Sequence, residues 1–154
     1  NSIIQYLHKK FPNHKNKILK CDFTKELPFK KQFDLIVDRS SLISNNIEGV
    51  SNGIKLLSSK LRNKGRFIAI DWFSEHHEGF NSGEIVDKQT RNNFPKDSDF
   101  SGIGKIHFCN KEYLAQIFSK ENLKLIYIEH KIIESDTYQD HKIKAFWNFV
   151  CEKK

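Results

Sequence analysis

A chain of 154 residues that is 38% apolar, 29% charged and 12% aromatic can bury one hydrophobic core but is short for two ordinary domains. Its 13 Phe, spread along the length, exclude a disordered tail. No apolar run nears the ~18 to 20 residues that span a bilayer, and no signal-type segment opens the chain. One cytoplasmic domain, residues 1–154, with no membrane partner is therefore expected.

The formal charge of +7 invites a nucleic-acid reading, but 22 of the 26 basic residues are Lys and only Arg39, Arg62, Arg66 and Arg91 are Arg. Phosphate and base recognition favours the bidentate guanidinium, and the Lys are scattered, so a solvated surface is expected and a nucleic-acid partner is not. Cys21, Cys109 and Cys151 lack the spacing of a zinc site or disulfide framework and read as reduced thiols. The chain has no Met. It was either processed or is the back part of a longer protein, and the second is expected.

Ile3, Ile4, Leu7 and Phe11 recur at helical spacing, and Pro12-Asn13 stops that helix. Ile18–Cys21 reads as a brief strand ending at Asp22, and Phe33–Asp38 as a second strand with a buried Leu-Ile-Val centre. Ile47, Val50, Ile54, Leu57 and Leu61 repeat at 3, 4, 3, 4, the clearest helix, with Asn45 or Asn46 as its cap and Gly65 as a left-handed exit. Arg66–Phe73 is nearly unbroken apolar sequence, the mark of a strand covered on both faces. Residues 74–108 are polar, hold four of the seven Gly and show no period, so a long irregular loop is expected there. Asn110 then caps a helix carrying Tyr113, Leu114, Ile117 and Phe118. Leu123–Ile133 reads as a strand, Glu134–His141 as a polar turn, and Ile143–Cys151 as a final antiparallel strand.

This order, with "NKILKCDFTKELPF", "QFDLIVDRSSLI" and "LSSKLRNKGRFIAIDWFS", resembles the rear two-thirds of a class I S-adenosylmethionine-dependent methyltransferase. Asn63-Lys64-Gly65 stands where that family usually has Pro-Gly-Gly. The final hairpin is similar to the family's reversed seventh strand. The resemblance implies an α/β, Rossmann-like sheet, mostly parallel with an antiparallel C-terminal hairpin strand, truncated at the N-terminus. The family's first strand, Gly-rich turn and ribose-binding acid have no counterpart here, so the chain alone is expected to be limited in binding cofactor.

The resemblance also implies the components of a site. The cofactor is S-adenosyl-L-methionine and the partner a small-molecule methyl acceptor. Asp22 and Phe23, after the first strand, would meet the adenine, although Asp22 also reads as a loop acid capping a turn. Asp38, Arg39 and Ser40 would lie beside the methionine portion, with Arg39 pairing a nearby acid. Asp71 and Trp72 face the acceptor side, although Trp72 reads equally as a core aromatic. His76-His77-Glu78 fits no metal-ligand spacing, so no metal is expected. His107 is the acid–base candidate, because a neutral imidazole can take a hydroxyl proton, although a lone His is more often structural. Gly79, Gly83, Gly102 and Gly104 would hinge a substrate lid spanning residues 74–108, whose polarity argues against a core of its own. The alternatives are a non-catalytic or degenerate interaction module and, disfavoured by the hairpin and the missing glycine fingerprint, a nicotinamide-dependent oxidoreductase.

Overall fold

The computed structural model describes residues 2–137 and 140–154. Helix α1 (Ser2–Lys10) forms as its spacing predicts, and a 3-10 turn takes over at Pro12. Its apolar stripe finds little to cover it, and Ile3 and Tyr6 stay exposed. Ile18–Cys21 is not a strand. A strand exists by pairing, and among the described residues none pairs with this segment, which turns instead at Asp22, whose carbonyl accepts from the amides of Lys25 and Glu26.

Strand β1 (Phe33–Arg39) lies at the sheet edge, so its Leu-Ile-Val centre is not buried as expected. Ile36 and Asp38 turn inward, whereas Leu35 and Val37 are 50% and 53% exposed. Helix α2 (Ile47–Lys60) begins where Asn46 caps it, accepting from Gly49 N at 3.1 Å. It buries Val50, Ile54 and Leu57, three of the positions its periodicity marks. The left-handed exit falls on Lys64 (φ 63°), not Gly65. Gly65 is required for a different reason: a Cβ there would sit 2.8 Å from the Arg62 carbonyl.

Strand β2 (Leu61–Phe73) pairs in parallel with β1, Ile36 opposite Phe67 and Val37 opposite Ile68. Helix α3 (Lys111–Ser119), capped by Asn110, leads to β6 (Leu123–Thr137) and β7 (Asp140–Lys153). The strand order is β1-β2-β7-β6, with β7 antiparallel to both neighbours. The last strand in the chain thus inserts between β2 and β6, and the three others share one direction. Phe67, Ala69 and Trp72 of β2 are buried with residues of α2, α3 and β7 in a single core. Both long helices pack on that face. The other face keeps Ile68, Ile70 and Val150 only half-buried, so the expected two-sided covering of β2 is met on one side.

The hairpin is longer than predicted. The polar stretch 134–141 continues the ladder from Glu134 opposite Ile143 to Thr137 opposite Asp140, and the rest of the expected turn, residues 138–139, lies outside the described residues. Because β2 stops pairing at Phe73 opposite Phe146, residues 131–137 and 140–144 project past the carboxyl edge of the sheet.

Residues 74–108 are more ordered than expected. Short strands β3 (Glu84–Ile85), β4 (Thr90–Asn92) and β5 (Ile106–His107) make an antiparallel sheet. Phe94, Phe100, Ile106 and Phe108 bury one another, with Phe73 and Phe80 alongside. Polar composition did not prevent a second small core, because its few apolar residues are large rings, each burying roughly 150–250 Å². Among the described residues no helix is long and apolar enough to cross a membrane.

Candidate functional site

Strand β1 ends at Arg39, opposite Ile70 of its parallel neighbour β2, and just beyond that pair the backbone is left-handed at two non-glycine residues: Ser40 (φ 55°) and Asp71 (φ 54°), the second at an irregularity within β2, which runs on to Phe73. Each such conformation costs about 1–2 kcal/mol. The Ser40 hydroxyl offsets it by donating to the Asp71 carbonyl at 2.7 Å, which ties the two together.

Asp38, one residue before the β1 end, points into the core and is 8% exposed. Its Oδ2 accepts from Trp72 Nε1 at 2.7 Å, and its Oδ1 from Leu42 N at 3.2 Å and from the Ser41 hydroxyl. Its charge therefore holds the 38–44 turn onto the core rather than standing free beside a sulfonium. Trp72 is fully buried, edge-on to Phe149 (5.2 Å) and Phe67 (6.2 Å). The expectation that it lines an acceptor pocket is corrected: with its N–H satisfied by Asp38, it is a core aromatic.

Strand alternation turns Arg39 to the opposite face. There Asp71 accepts from Lys131 Nζ at 2.8 Å and Arg39 NH2 at 3.4 Å. The Lys131 hydrogen bond, with the charges of Lys131 and Arg39, outweighs burial and holds the Asp71 carboxyl below the usual range. Arg39 meets an acid as expected, and that acid is the predicted acceptor-side residue itself, so Asp71 is occupied as an ion-pair partner.

Asp22 is exposed, taking the Thr24 hydroxyl (2.7 Å) and amide (3.1 Å) on Oδ1, with Lys25 at 3.2 Å. The Thr24 hydrogen bonds, joined by Lys25, keep its carboxyl low. It caps its own turn, and its exposed carboxylate still has acceptor capacity. Phe23 packs on the core and, with Leu27, Ile36, Asp38, Leu42 and Gly53, lines a recess of about 180 Å³. Phe23 and Asp38, from separate segments, thus meet at one place. The recess is smaller than the ~300–1,000 Å³ typical of small-molecule sites. It is one wall of a site and does not enclose a cofactor.

The 74–108 segment is latched over this same edge. Asp87 Oδ2 accepts from Ile47 N at 3.0 Å, capping α2 from a distance. Glu75 takes Gln89 Nε2 at 2.7 Å and Asn110 Nδ2 at 2.9 Å, joining the segment to the start of α3. Gly79 and Gly83 are packing glycines rather than hinges: a Cβ would stand 2.2 Å from Phe100 and 2.7 Å from the Asn92 carbonyl, respectively. Gly102 and Gly104 stand at positive φ with open space where a Cβ would be, so conformation rather than packing calls for glycine there.

His107 lies sealed between this segment and α3, its Nδ1 3.1 Å from the Thr90 hydroxyl. Among the described residues its Nε2 and the nearby Tyr113 OH are buried without hydrogen-bond partners. Burial pushes the His107 pKa down to about 4 and the Tyr113 hydroxyl well up. A fully enclosed, weakly basic imidazole does not reach a surface-bound acceptor, so the acid–base expectation for His107 is corrected in this arrangement. His76 and His77 do point apart, His76 outward against His130 (5.1 Å) and His77 into the small aromatic core. No local sequence signal marks what His77 or Ser74 does. The Ser74 hydroxyl is 2.9 Å from His130 Nε2, and the His130 ring stacks on Trp147 at 3.9 Å.

No protein-family profile and no curated protein matches the chain. Solved structures do. A SAM-dependent methyltransferase from Methanosarcina mazei superposes with TM-score 0.61 at 16% identity, over 84% of this chain and 64% of that one. An S-adenosylmethionine-dependent methyltransferase from Clostridium acetobutylicum gives 0.59 at 14%, over 97% and 71%. A 1,6-didemethyltoxoflavin-N1-methyltransferase from Burkholderia thailandensis gives 0.51 at 13%, over 88% and 50%. This chain therefore spans about half to seven-tenths of these proteins' lengths. With the reversed strand between β2 and β6, the chain has the fold of the class I S-adenosylmethionine-dependent methyltransferases.

Proposed function

We propose that the chain is the rear part of an S-adenosylmethionine-dependent methyltransferase domain acting on a small-molecule acceptor, working in the cytoplasm where its three free thiols stay reduced. One observation carries the proposal: the inserted antiparallel β7 occurs together with a recess in which Phe23 and Asp38 meet and which reaches from the 38–42 turn, at the carboxyl edge, back to Ile36 and Phe67. Ligands of open α/β sheets bind at that edge. The half-open recess, the exposed apolar edge of β1 and the uncovered stripe of α1 support a preceding part of the domain that would complete the site. The B. thailandensis relative was solved with its small acceptor and S-adenosylhomocysteine, which supports an acceptor of that size here.

Bound cofactor would supply a methyl carbon on a sulfonium leaving group, and the protein's task is chiefly alignment. In this chain the Phe23 ring and the Asp22 carboxylate would hold the adenine side. The 38–44 turn, locked by Asp38 and Ser40, would fix the shape of the neighbouring wall. The 74–108 segment would exclude water above it. Because that segment is latched by Asp87 and Glu75, and Gly79 and Gly83 are packed in, any movement of it would fall to the two open glycines, Gly102 and Gly104.

The test uses the protein with its native upstream residues. Deleting residues 80–100 should abolish methyl transfer while S-adenosylhomocysteine binding persists. Turnover surviving the deletion would contradict the lid role.

A further inference from the structure

His77 is 3% exposed and enclosed by rings: Phe100 at 4.9 Å, Phe73 at 5.4 Å and Phe146 at 5.7 Å. Its Nδ1 accepts from Gly79 N at 3.1 Å. A backbone N–H is always the donor, so Nδ1 carries no proton and the neutral ring holds its hydrogen on Nε2. Among the described residues Nε2–H has no partner and, unlike His107 Nε2, it is not sealed off. His77 lines a cavity of about 300 Å³ between the 78–82 turn, the 95–100 loop and the start of β7. That volume equals the liquid share of roughly ten waters and lies at the lower end of small-molecule sites.

The rim carries opposed charges. Asp99 pairs with Lys144 at 2.6 Å, Glu78 accepts from Ile143 N at 3.3 Å, and Asp97 and Lys142 complete the border. Three carboxylates, Glu78, Asp97 and Asp99, stand against Lys142 and Lys144, which disfavours an anion, while the Nε2–H donor needs a lone pair that a simple cation lacks; an uncharged guest satisfies both, and Phe100 supplies a flat apolar wall. We propose that this cavity is a small-molecule site that takes an uncharged, flat compound whose carbonyl or pyridine-type lone pair accepts from His77 Nε2–H. The site is separate from the Phe23–Asp38 recess and does not depend on the methyltransferase proposal. Burial, reinforced by the Lys144 ammonium, lowers the His77 pKa to about 4, so the donor form persists through neutral pH.

The experiment tracks the His77 ring nitrogens by long-range proton–nitrogen correlation in protein labelled at histidine, with nicotinamide as the probe and benzylamine, a cation without an acceptor, as the comparator. The spectrum should show the Nε2–H tautomer. Nicotinamide should shift Nε2 saturably in the millimolar range that a ligand of its size reaches, and benzylamine should not. His77→Asn keeps an acceptor for Gly79 N–H while removing the donor; followed at the Gly79 amide in uniformly nitrogen-labelled protein, nicotinamide should bind it roughly tenfold more weakly than the parent, the worth of one hydrogen bond. Should that variant misfold, Asp97→Trp, at an exposed rim position, should block the cavity and abolish the shift. An Nδ1–H tautomer, no nicotinamide shift, a His77 shift undiminished in folded Asp97→Trp, or unchanged affinity at the Gly79 amide of folded His77→Asn would overturn the proposal. The readout sits at His77 and is unaffected by whether S-adenosylhomocysteine binds.

Discussion

Replacing Asp38 with Ala should nearly unfold the protein. The carboxylate serves three donors, and two of them, Trp72 Nε1 and Leu42 N, have no route to water. Leaving a buried donor unpaired costs about 1–3 kcal/mol, so the two together cost about 2–6 kcal/mol. Ser41 is exposed and can turn to solvent. A domain of this size is stable by roughly 5–15 kcal/mol, so the loss consumes much of its margin. Asp38→Asn keeps one carbonyl oxygen and sets its amide against a donor, for a smaller cost of about 1–3 kcal/mol. Urea unfolding followed by far-ultraviolet circular dichroism measures both variants, and the Trp72 indole N–H resonance reports the broken bond directly. Asp38→Ala within ~0.5 kcal/mol of the parent, the scale of a neutral surface change, would refute the assignment of Asp38 as the post that holds the turn to the core.

Gly79→Ala forces a Cβ into the Phe100 ring and should cost about 1–3 kcal/mol as an overpacked core does, read as faster proteolysis within residues 74–108. Both His77 and His107 have folded pKa values lowered to about 4, against about 6.5 unfolded. Their contribution is therefore complete above pH 6.5 and is lost as the pH falls towards 4, on the order of 3 kcal/mol for sealed His107 and less for His77, whose ring edge opens on the cavity and its solvent screening. Urea midpoints from pH 7 to pH 4.5 should fall accordingly, and a flat profile would mean the rings are not buried neutral. Val37→Lys, on an exposed edge position, should change the stability of this chain by less than about 0.5 kcal/mol. In protein carrying its native upstream residues it should destabilise strongly, and equal tolerance in both would speak against a covered edge.

The elements in chain order were legible because each signal was local and strong: the 3, 4, 3, 4 spacing of α2, the apolar run of β2, and the alternation of β7; the place of β7 in the sheet rested on the family resemblance. Burial was less legible, since it depends on neighbours. Leu35 and Val37 read as core but lie at an edge, and Ile18–Cys21 reads as a strand but pairs with no strand among the described residues. The 74–108 segment misled because polarity was weighed by residue count, whereas Phe80, Phe94, Phe100 and Phe108 supply their area in a few large rings. At the site, Asp38, Arg39 and Ser40 were singled out by position, and their tasks depend on distant partners, Trp72 and Asp71, that strand register alone brings near. His107 looked available because nothing in its local sequence shows that α3 closes over it.

Calorimetric titration of S-adenosylhomocysteine into the protein bearing its native upstream residues, beside the 154-residue chain and with NADH as the competing ligand, bears most directly on the central claim. Micromolar binding is expected for the longer protein, corresponding to roughly 7–8 kcal/mol, with far weaker binding to the shorter chain, whose recess holds only about 180 Å³, and no measurable heat from NADH. Absence of S-adenosylhomocysteine binding in the longer protein, or tighter binding of NADH, would contradict it.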